Sequence, residues 1–278
     1  MLTILDQVSL SGDRAKQNDD ACGAFGRFAW VIDGATDLHK DPLSPAASDA
    51  AFFAHAFHGG LAAAAATAFD LPALLAAGMA HAQAAWSADA RPIVHAWQSP
   101  TASVVAVMET PAGLVATDLG DSRLFTLDAS GEPHAFGGGR DSAKDEAAQV
   151  RLVTRGRTER PLDRHEVIEE LRRRRTLANI PGGYWVLGLE DACLERRREA
   201  AIPLVRPAHI LLCTDGFAAL CDRYEAYNAG GLVAVARDEG LLALGQRLRA
   251  IEEEDAIGER HPRWKKSDDA TALLLRLT

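Results

Sequence analysis

An apolar run that ends abruptly on an acid is the feature that most constrains this chain. Phe28-Ala29-Trp30-Val31-Ile32 leads straight into Asp33-Gly34-Ala35-Thr36-Asp37. A short apolar run bounded by turn formers reads as a buried strand. Such a strand holds the Asp33 carboxylate at its tip, and Gly34 lets another group approach the backbone closely. Alone, an Asp-Gly at a strand end is a turn signal. Here the pattern recurs, because Asn18-Asp19-Asp20, Gly120-Asp121-Ser122, Thr214-Asp215-Gly216 and Ser267-Asp268-Asp269 also follow or interrupt apolar segments.

Residues 21–25 and 28–32 flank Gly26-Arg27, which predicts a β-hairpin. The start of one strand and the end of its antiparallel partner share a sheet edge, so Asp20 and Asp33 can converge. A short first strand is predicted over 3–9. Helices are predicted within 45–69, opened by Ser44-Pro45, and over 72–88. The pattern then becomes β-rich over 101–109, 114–118 and 123–127, with breaks at Pro111-Ala112-Gly113 and Gly120-Asp121. From 137 to about 180 the chain is polar and reads as a mixed-charge helical insertion, its Arg172-Arg173-Arg174-Arg175 run being a solvated helix face. Extended structure is expected again at 182–188 and a buried strand at 209–213. An amphipathic helix follows over 230–254, and a last strand over 270–277. Without repeat or linker, residues 1–278 read as one domain with an inserted subregion.

With 278 residues, 47% hydrophobic and 25% charged, the composition is that of a globular protein with a large core. A net charge of −9 argues against non-specific nucleic-acid binding. No apolar stretch reaches membrane-spanning length, and no leader-like segment opens the chain, so no membrane association is expected. Cys22, Cys193, Cys213 and Cys221 form no Cys-x-x-Cys pair and read as small core residues in a reducing compartment, the cytoplasm.

Several aspartates at strand tips, with no paired histidines or cysteines, describe a site of hard oxygen ligands. That donor set suits Mg²⁺ or Mn²⁺ and disfavours zinc or copper. Carboxylate clusters of this kind often hold two ions, which activate water against a phosphate ester that would otherwise repel hydroxide.

The ordered motifs resemble the metal-dependent protein phosphatase family of type 2C, in its bacterial-like form, across essentially the whole chain. Asn18-Asp19-Asp20 looks like the family's first acidic motif, with Asp20 as ligand. Asp33-Gly34 matches the element that supplies a bridging carboxylate and a backbone carbonyl. Gly120-Asp121-Ser122-Arg123 and Thr214-Asp215-Gly216 match two further motifs, and Asp268-Asp269-Ala270-Thr271 is similar to the last. The resemblance implies an α+β fold, a four-layer αββα sandwich of two antiparallel sheets flanked by helices. It implies two Mg²⁺ or Mn²⁺ ions held by Asp20, Asp33, Gly34, Asp215 and Asp268, with Asp19 and Asp121 behind them or at a looser third metal site. The inserted region at 137–180 corresponds to the family's variable flap beside the active site. The implied activity is serine/threonine protein phosphatase, acting in signalling on a phosphorylated protein substrate and, by extension, opposite a cognate Ser/Thr kinase.

The chain departs from the pattern in four places. The histidine that follows Asp-Gly in animal members, proposed as general acid, is replaced by Ala35 and Thr36. His39 is the nearby candidate, against the plainer reading of a surface loop histidine. The phosphate-binding arginine is expected at Ala15, so Arg14 and Lys16, which bracket it, become the substrate-binding candidates. Ala218-Ala219 replaces a further aspartate of the third metal site, and Asp269 replaces an asparagine. A haloacid-dehalogenase reading fails because Val31 stands where that chemistry needs an aspartate. Reading every acid as an ordinary turn residue requires five coincidences. The alternative function is a catalytically inactive type-2C-like domain that binds or regulates, yet Asp20, Asp33, Asp215 and Asp268 are all acidic, which a decayed enzyme need not retain.

Overall fold

Strand β3 (Phe28–Gly34) is buried along both faces, so it must lie between two apolar layers. The computed structural model, which describes residues 1–154 and 165–278, supplies both. Trp30 and Ile32 face helices α1 (Asp49–Ala64) and α2 (Leu71–Asp89), joining Phe53, Phe57, Leu74 and Met79 in one cluster. Ala29 and Val31, one residue out of phase, enter a second cluster with Val105, Leu212, Leu273 and Leu275. Period-two alternation therefore divides one strand between two cores.

The first sheet consists of β2 (Ala21–Phe25), β3, β4 (Ala102–Thr110), β5 (Gly113–Leu119) and β8 (Arg198–Pro203), in that spatial order. The second comprises β1 (Leu2–Leu10), β10 (Ala270–Leu277), β9 (Ala208–Cys213), β6 (Arg123–Leu127) and β7 (Pro133–Phe136), also in spatial order. Every ladder is antiparallel. On the second sheet's outer face, α5 (Asp215–Asp222), α6 (Ala229–Glu239) and α7 (Leu241–Glu254) bury Phe217, Leu232 and Leu244 against Phe125, Leu211 and Leu274. The result is helix, sheet, sheet, helix: the four-layer sandwich expected from the motifs.

The β2–β3 hairpin forms in the predicted register. Ala21 pairs with Ile32, and continuing that register sets Asp20 opposite Asp33. Gly26 takes φ +59° at the first turn position, a conformation that glycine adopts without steric cost.

Several elements differ from expectation. Helix α1 starts at Asp49 rather than near Pro45, because Ser48 is the cap, its side chain accepting from the Ala51 amide. The Asp37 carboxylate adds two more acceptors, for the amides of Asp49 (2.8 Å) and Ala50 (3.2 Å). The single helix expected over 230–254 is two, broken at Gly240 with φ +86°. Strands β7 and β8 were not anticipated. Both lie at sheet edges and expose most of their residues, so neither carries an apolar run to reveal it. Segment 182–188 is not a strand; isolated bridges, Ala102 to Leu187 and Ala178 to Tyr184, the Val186 amide on Asn179 Oδ1 (3.0 Å) and the buried Leu187 side chain hold it in place.

Within the polar insertion, α3 (Gly139–Thr154) and α4 (His165–Arg175) are helical as expected, and residues 155–164 of that segment lie outside the described residues. The arginine run is not simply a solvated face. Arg173 pairs at the surface with Glu170. Arg172, by contrast, donates twice to the Leu38 carbonyl (3.0 and 2.7 Å) and stacks 4.3 Å from the Trp97 ring centroid. Arg175 donates to the Thr36 carbonyl at 3.2 Å. Two of the four arginines therefore clamp α4 onto the loop that leaves Asp33.

Candidate metal centre

Each acidic motif closes an apolar strand or opens one, and antiparallel pairing brings these ends to one rim of the sandwich. Asp33 ends β3, Asp121 sits in the β5–β6 turn, and Asp215 follows β9. Asp20 and Asp268 precede β2 and β10. Hydrogen bonds sew the two sheets together at this rim. Thr214 Oγ1 donates to Asp20 Oδ2 at 3.0 Å and accepts from the Thr271 amide at 3.0 Å. The Asp215 amide points at Asp33 Oδ2 at 3.4 Å. Asp269 accepts from the amides of Gly12 (2.8 Å) and Asp19 (2.7 Å), so the acid in place of an asparagine anchors the loop between β1 and β2. The approach is close enough to require both Asp-Gly glycines. A Cβ on Gly34 would lie 2.6 Å from the Asp19 carbonyl oxygen, and one on Gly216 would lie 2.0 Å from that of Asp269.

Crowding these acids disfavours their charge. Burial, then repulsion from Asp269 and Asp268, raises Asp20 well above the usual carboxylate range. Burial, then Asp215, Asp20, Asp121 and Asp268, does the same to Asp33. Asp215 is pushed up to about 8 by burial and then by Asp121 and Asp268, and Asp121 is raised chiefly by burial. Asp19 rises to about 6, again mainly through burial. Lys265 answers part of this charge. Its Nζ lies 2.5 Å from Asp268 Oδ1 and 2.7 Å from Thr36 Oγ1. Burial opposes its charge, but Asp268, Asp215 and Asp33 hold it above the ordinary lysine range. Beside Asp215, Arg223 pairs with Glu146 of α3, and a small cleft opens between these groups and Lys265.

A pH dependence follows for the metal-free protein. An unfolded chain sheds its aspartate protons near the ordinary value, whereas Asp20, Asp33 and Asp215 are held above it in the native state, which therefore binds more protons at neutral pH. Stability must then fall as pH rises. His58 and His209, both lowered chiefly by burial, oppose the trend only at the lower end of the range, where the unfolded imidazoles still hold part of a proton, and not at its upper end. Thermal denaturation in chelator should give a lower Tm at about pH 8.5 than at about pH 6.5, and Mn²⁺ should restore it most at the higher pH. A Tm that is flat across this range would mean the carboxylates do not repel one another.

The rim fits a divalent cation on this structure's own terms. Asp20 is 5% exposed, and its Oδ1, like Oδ1 of Asp19, has no hydrogen-bond partner among the described residues. Buried carboxylate oxygens left unpaired are costly unless a cation meets them. Among the described residues, the trio whose ligand atoms all lie within 4.8 Å of one another is Asp37, His39 and Asp49, and no set of rim acids is drawn together that tightly. The trio's oxygens are already engaged: Asp37 caps α1, and Asp49 accepts from the amides of Leu43 (2.8 Å) and Ser44 (2.7 Å). That trio locks a loop.

No protein-family model and no curated protein matches the sequence. Solved structures do match. The photosystem II phosphatase PBCP aligns with a TM-score of 0.61 at 15% identity, covering 100% of this chain and 99% of that one. The PPM Ser-Thr phosphatase MsPP from Mycobacterium smegmatis, in complex with cacodylate, aligns at 0.56 and 18% identity over 99% of this chain and 100% of that one. The catalytic domain of the serine threonine protein phosphatase PstP, in complex with 2 manganese ions, aligns at 0.51 and 18% identity over 99% and 97%. The chain has the PPM phosphatase fold.

Within this PPM fold the motif acids lie near enough to raise one another's proton affinity, and the remaining candidates fall in three places. His39 is no surface residue: its side chain is 10% exposed and bonded to Asp49 at 2.8 Å, as a loop anchor would be. Arg14 and Lys16 are exposed on the loop between β1 and β2, and neither forms an ion pair among the described residues. Ala218 and Ala219 are buried in the helical core of α5, where an acid would face leucines. Sequence reasoning missed Lys265 and Thr214. Lys265 lies three residues before Asp268 in a charged loop that resembles a solvated one, so spacing was its sole signal.

Proposed function

We propose that this chain is a Mg²⁺- or Mn²⁺-dependent phosphatase that hydrolyses phosphoserine or phosphothreonine in proteins. The observation that carries the reading is the convergence of partly buried acids at one rim, with Oδ1 of the buried Asp20 left unpaired among the described residues. Asp20, Asp33, Asp215 and Asp268, with the Gly34 carbonyl, would hold two cations, the number in the PstP complex. When bound, such ions neutralise a phosphate dianion and make water a nucleophile at neutral pH. Asp33, which the charges of Asp215, Asp20, Asp121 and Asp268 surround, would be the central carboxylate holding those ions. Thr214 fixes the rotamer of Asp20, and Asp269 fixes the loop that carries Asp19. Arg14 and Lys16, free and exposed on that loop, supply positive charge for the substrate phosphate. Asp121 adds charge behind Asp33 and Asp215, with no third ion assigned. The segment 137–180 acts as a flap within a single phosphatase domain, and its Glu146–Arg223 pair borders the cleft. A cognate Ser/Thr kinase would supply the substrate, and the cytoplasm is the compartment proposed. Among the described residues, no helix is long and apolar enough to cross a membrane.

One observation favours a second reading. Lys265 already neutralises part of the acidic rim, as it would in a domain that binds phosphoproteins without cleaving them. Hydrolysis of an aryl phosphate, and then of a phosphothreonine peptide, with Mn²⁺ and after chelation, separates the two. Turnover that disappears with chelator is expected. Mn²⁺ binding without turnover on either substrate would transfer the assignment to the binding domain.

A further inference from the structure

Lys265 stands where a lysine is least expected, inside the acids that would hold metal. Its ammonium meets Asp268 Oδ1 at 2.5 Å and Thr36 Oγ1 at 2.7 Å, the second contact reaching across to the loop that follows Asp33. Its neighbour Lys266 turns the other way and pairs with Glu253. The backbone that presents Lys265 is held at several points. Arg263, buried against Asp255, donates to the Lys266 carbonyl at 2.9 Å. Arg249 donates to the carbonyls of Asp268 (2.8 Å) and Leu10 (3.0 Å). The Trp264 amide donates to Glu146 of α3 at 2.9 Å. The side chain is less confined: 33% of it is exposed. A flexible four-carbon stem on a pinned backbone can swing outward without unfolding anything.

We propose that the Lys265 ammonium occupies one cation position of the acidic rim and must leave Asp268 before a second divalent ion binds there. This rests on the metal-dependent reading given above. One ammonium cannot balance Asp20, Asp33, Asp121, Asp215 and Asp268 together, so a first divalent ion is still drawn to the acids that Lys265 does not touch. A second must compete with a tethered charge whose local concentration is fixed by the chain. Metal loading is therefore sequential, with a strong site and a weak one, and Lys265 sets the gap between them.

Calorimetric titration of Mn²⁺ into the full chain tests this without reference to turnover. The native protein should show one strong and one weak site. In Lys265→Met and Lys265→Gln the weak site should tighten by about tenfold or more, the change that removal of ~1.4 kcal/mol of competition produces. Lys265→Arg, which keeps the charge, should keep the weak second site, an outcome that a merely structural lysine would not give. Thermal melts in chelator confirm that each variant is folded, and either neutral variant suffices. Isotherms identical in the native and neutral proteins would overturn the lysine's role while leaving the metal centre intact. Absence of Mn²⁺ binding in every protein would overturn the metal reading itself, and this inference with it.

Discussion

Asp33→Asn is expected to lower kcat/KM for an aryl phosphate by about 10³-fold, the effect of losing several kcal/mol of cation-borne transition-state stabilisation. The side chain changes by one atom and keeps its shape, so the amide of Asp215, 3.4 Å away, still has an oxygen to point at. What is removed is the charge that every neighbouring acid opposes in the metal-free protein. Metal-free stability should therefore hold or rise, while Mn²⁺ no longer raises the Tm. The two readouts moving in opposite directions distinguish loss of a ligand from loss of fold. Retained activity would sink the hydrolytic proposal, because Asp33 is the carboxylate on which it centres.

Phe53→Ala should destabilise the fold by about 3–5 kcal/mol, the usual range for emptying a buried aromatic site. Phe53 is fully buried on the inner face of α1 and packs 6.4 Å, centroid to centroid, from Phe57. Its cluster includes Trp30 and Ile32 of β3, the strand that carries Asp33. Small residues such as Ala54 and Gly60 already let α1 lie close to its neighbours, so little slack exists to collapse the cavity. Urea denaturation, comparing midpoints at constant m-value, measures the loss. A change under about 1 kcal/mol would mean that α1 is not packed on the sheet as described.

Both predictions concern one strand, and that strand was the most legible part of the chain. Its apolar run, the two-residue turn before it and the Asp-Gly after it are local signals that alternation and turn chemistry encode directly. The same holds for β4, β5, β6, β9 and β10, whose buried runs were anticipated within a residue or two. Edge strands β7 and β8 were not, since what makes them strands is the pairing offered by β6 and β5, not their own hydrophobicity. Gly240 divided a helix whose amphipathic period continues on either side, and periodicity cannot register a single left-handed residue.

The sequence by itself determined which acids end or precede apolar strands, their order, and the all-oxygen character of the donor set. Those properties belong to short stretches whose own chemistry specifies them. Tertiary structure alone decided which groups meet. It put Thr214 against Asp20 across 194 positions, set Arg172 and Arg175 on the loop after Asp33, and brought the Lys265 ammonium to Asp268 and Thr36. A charged side chain reads as solvated until the fold shows what lies opposite it. Its partner is fixed by the packing of two sheets, and no local pattern carries that information.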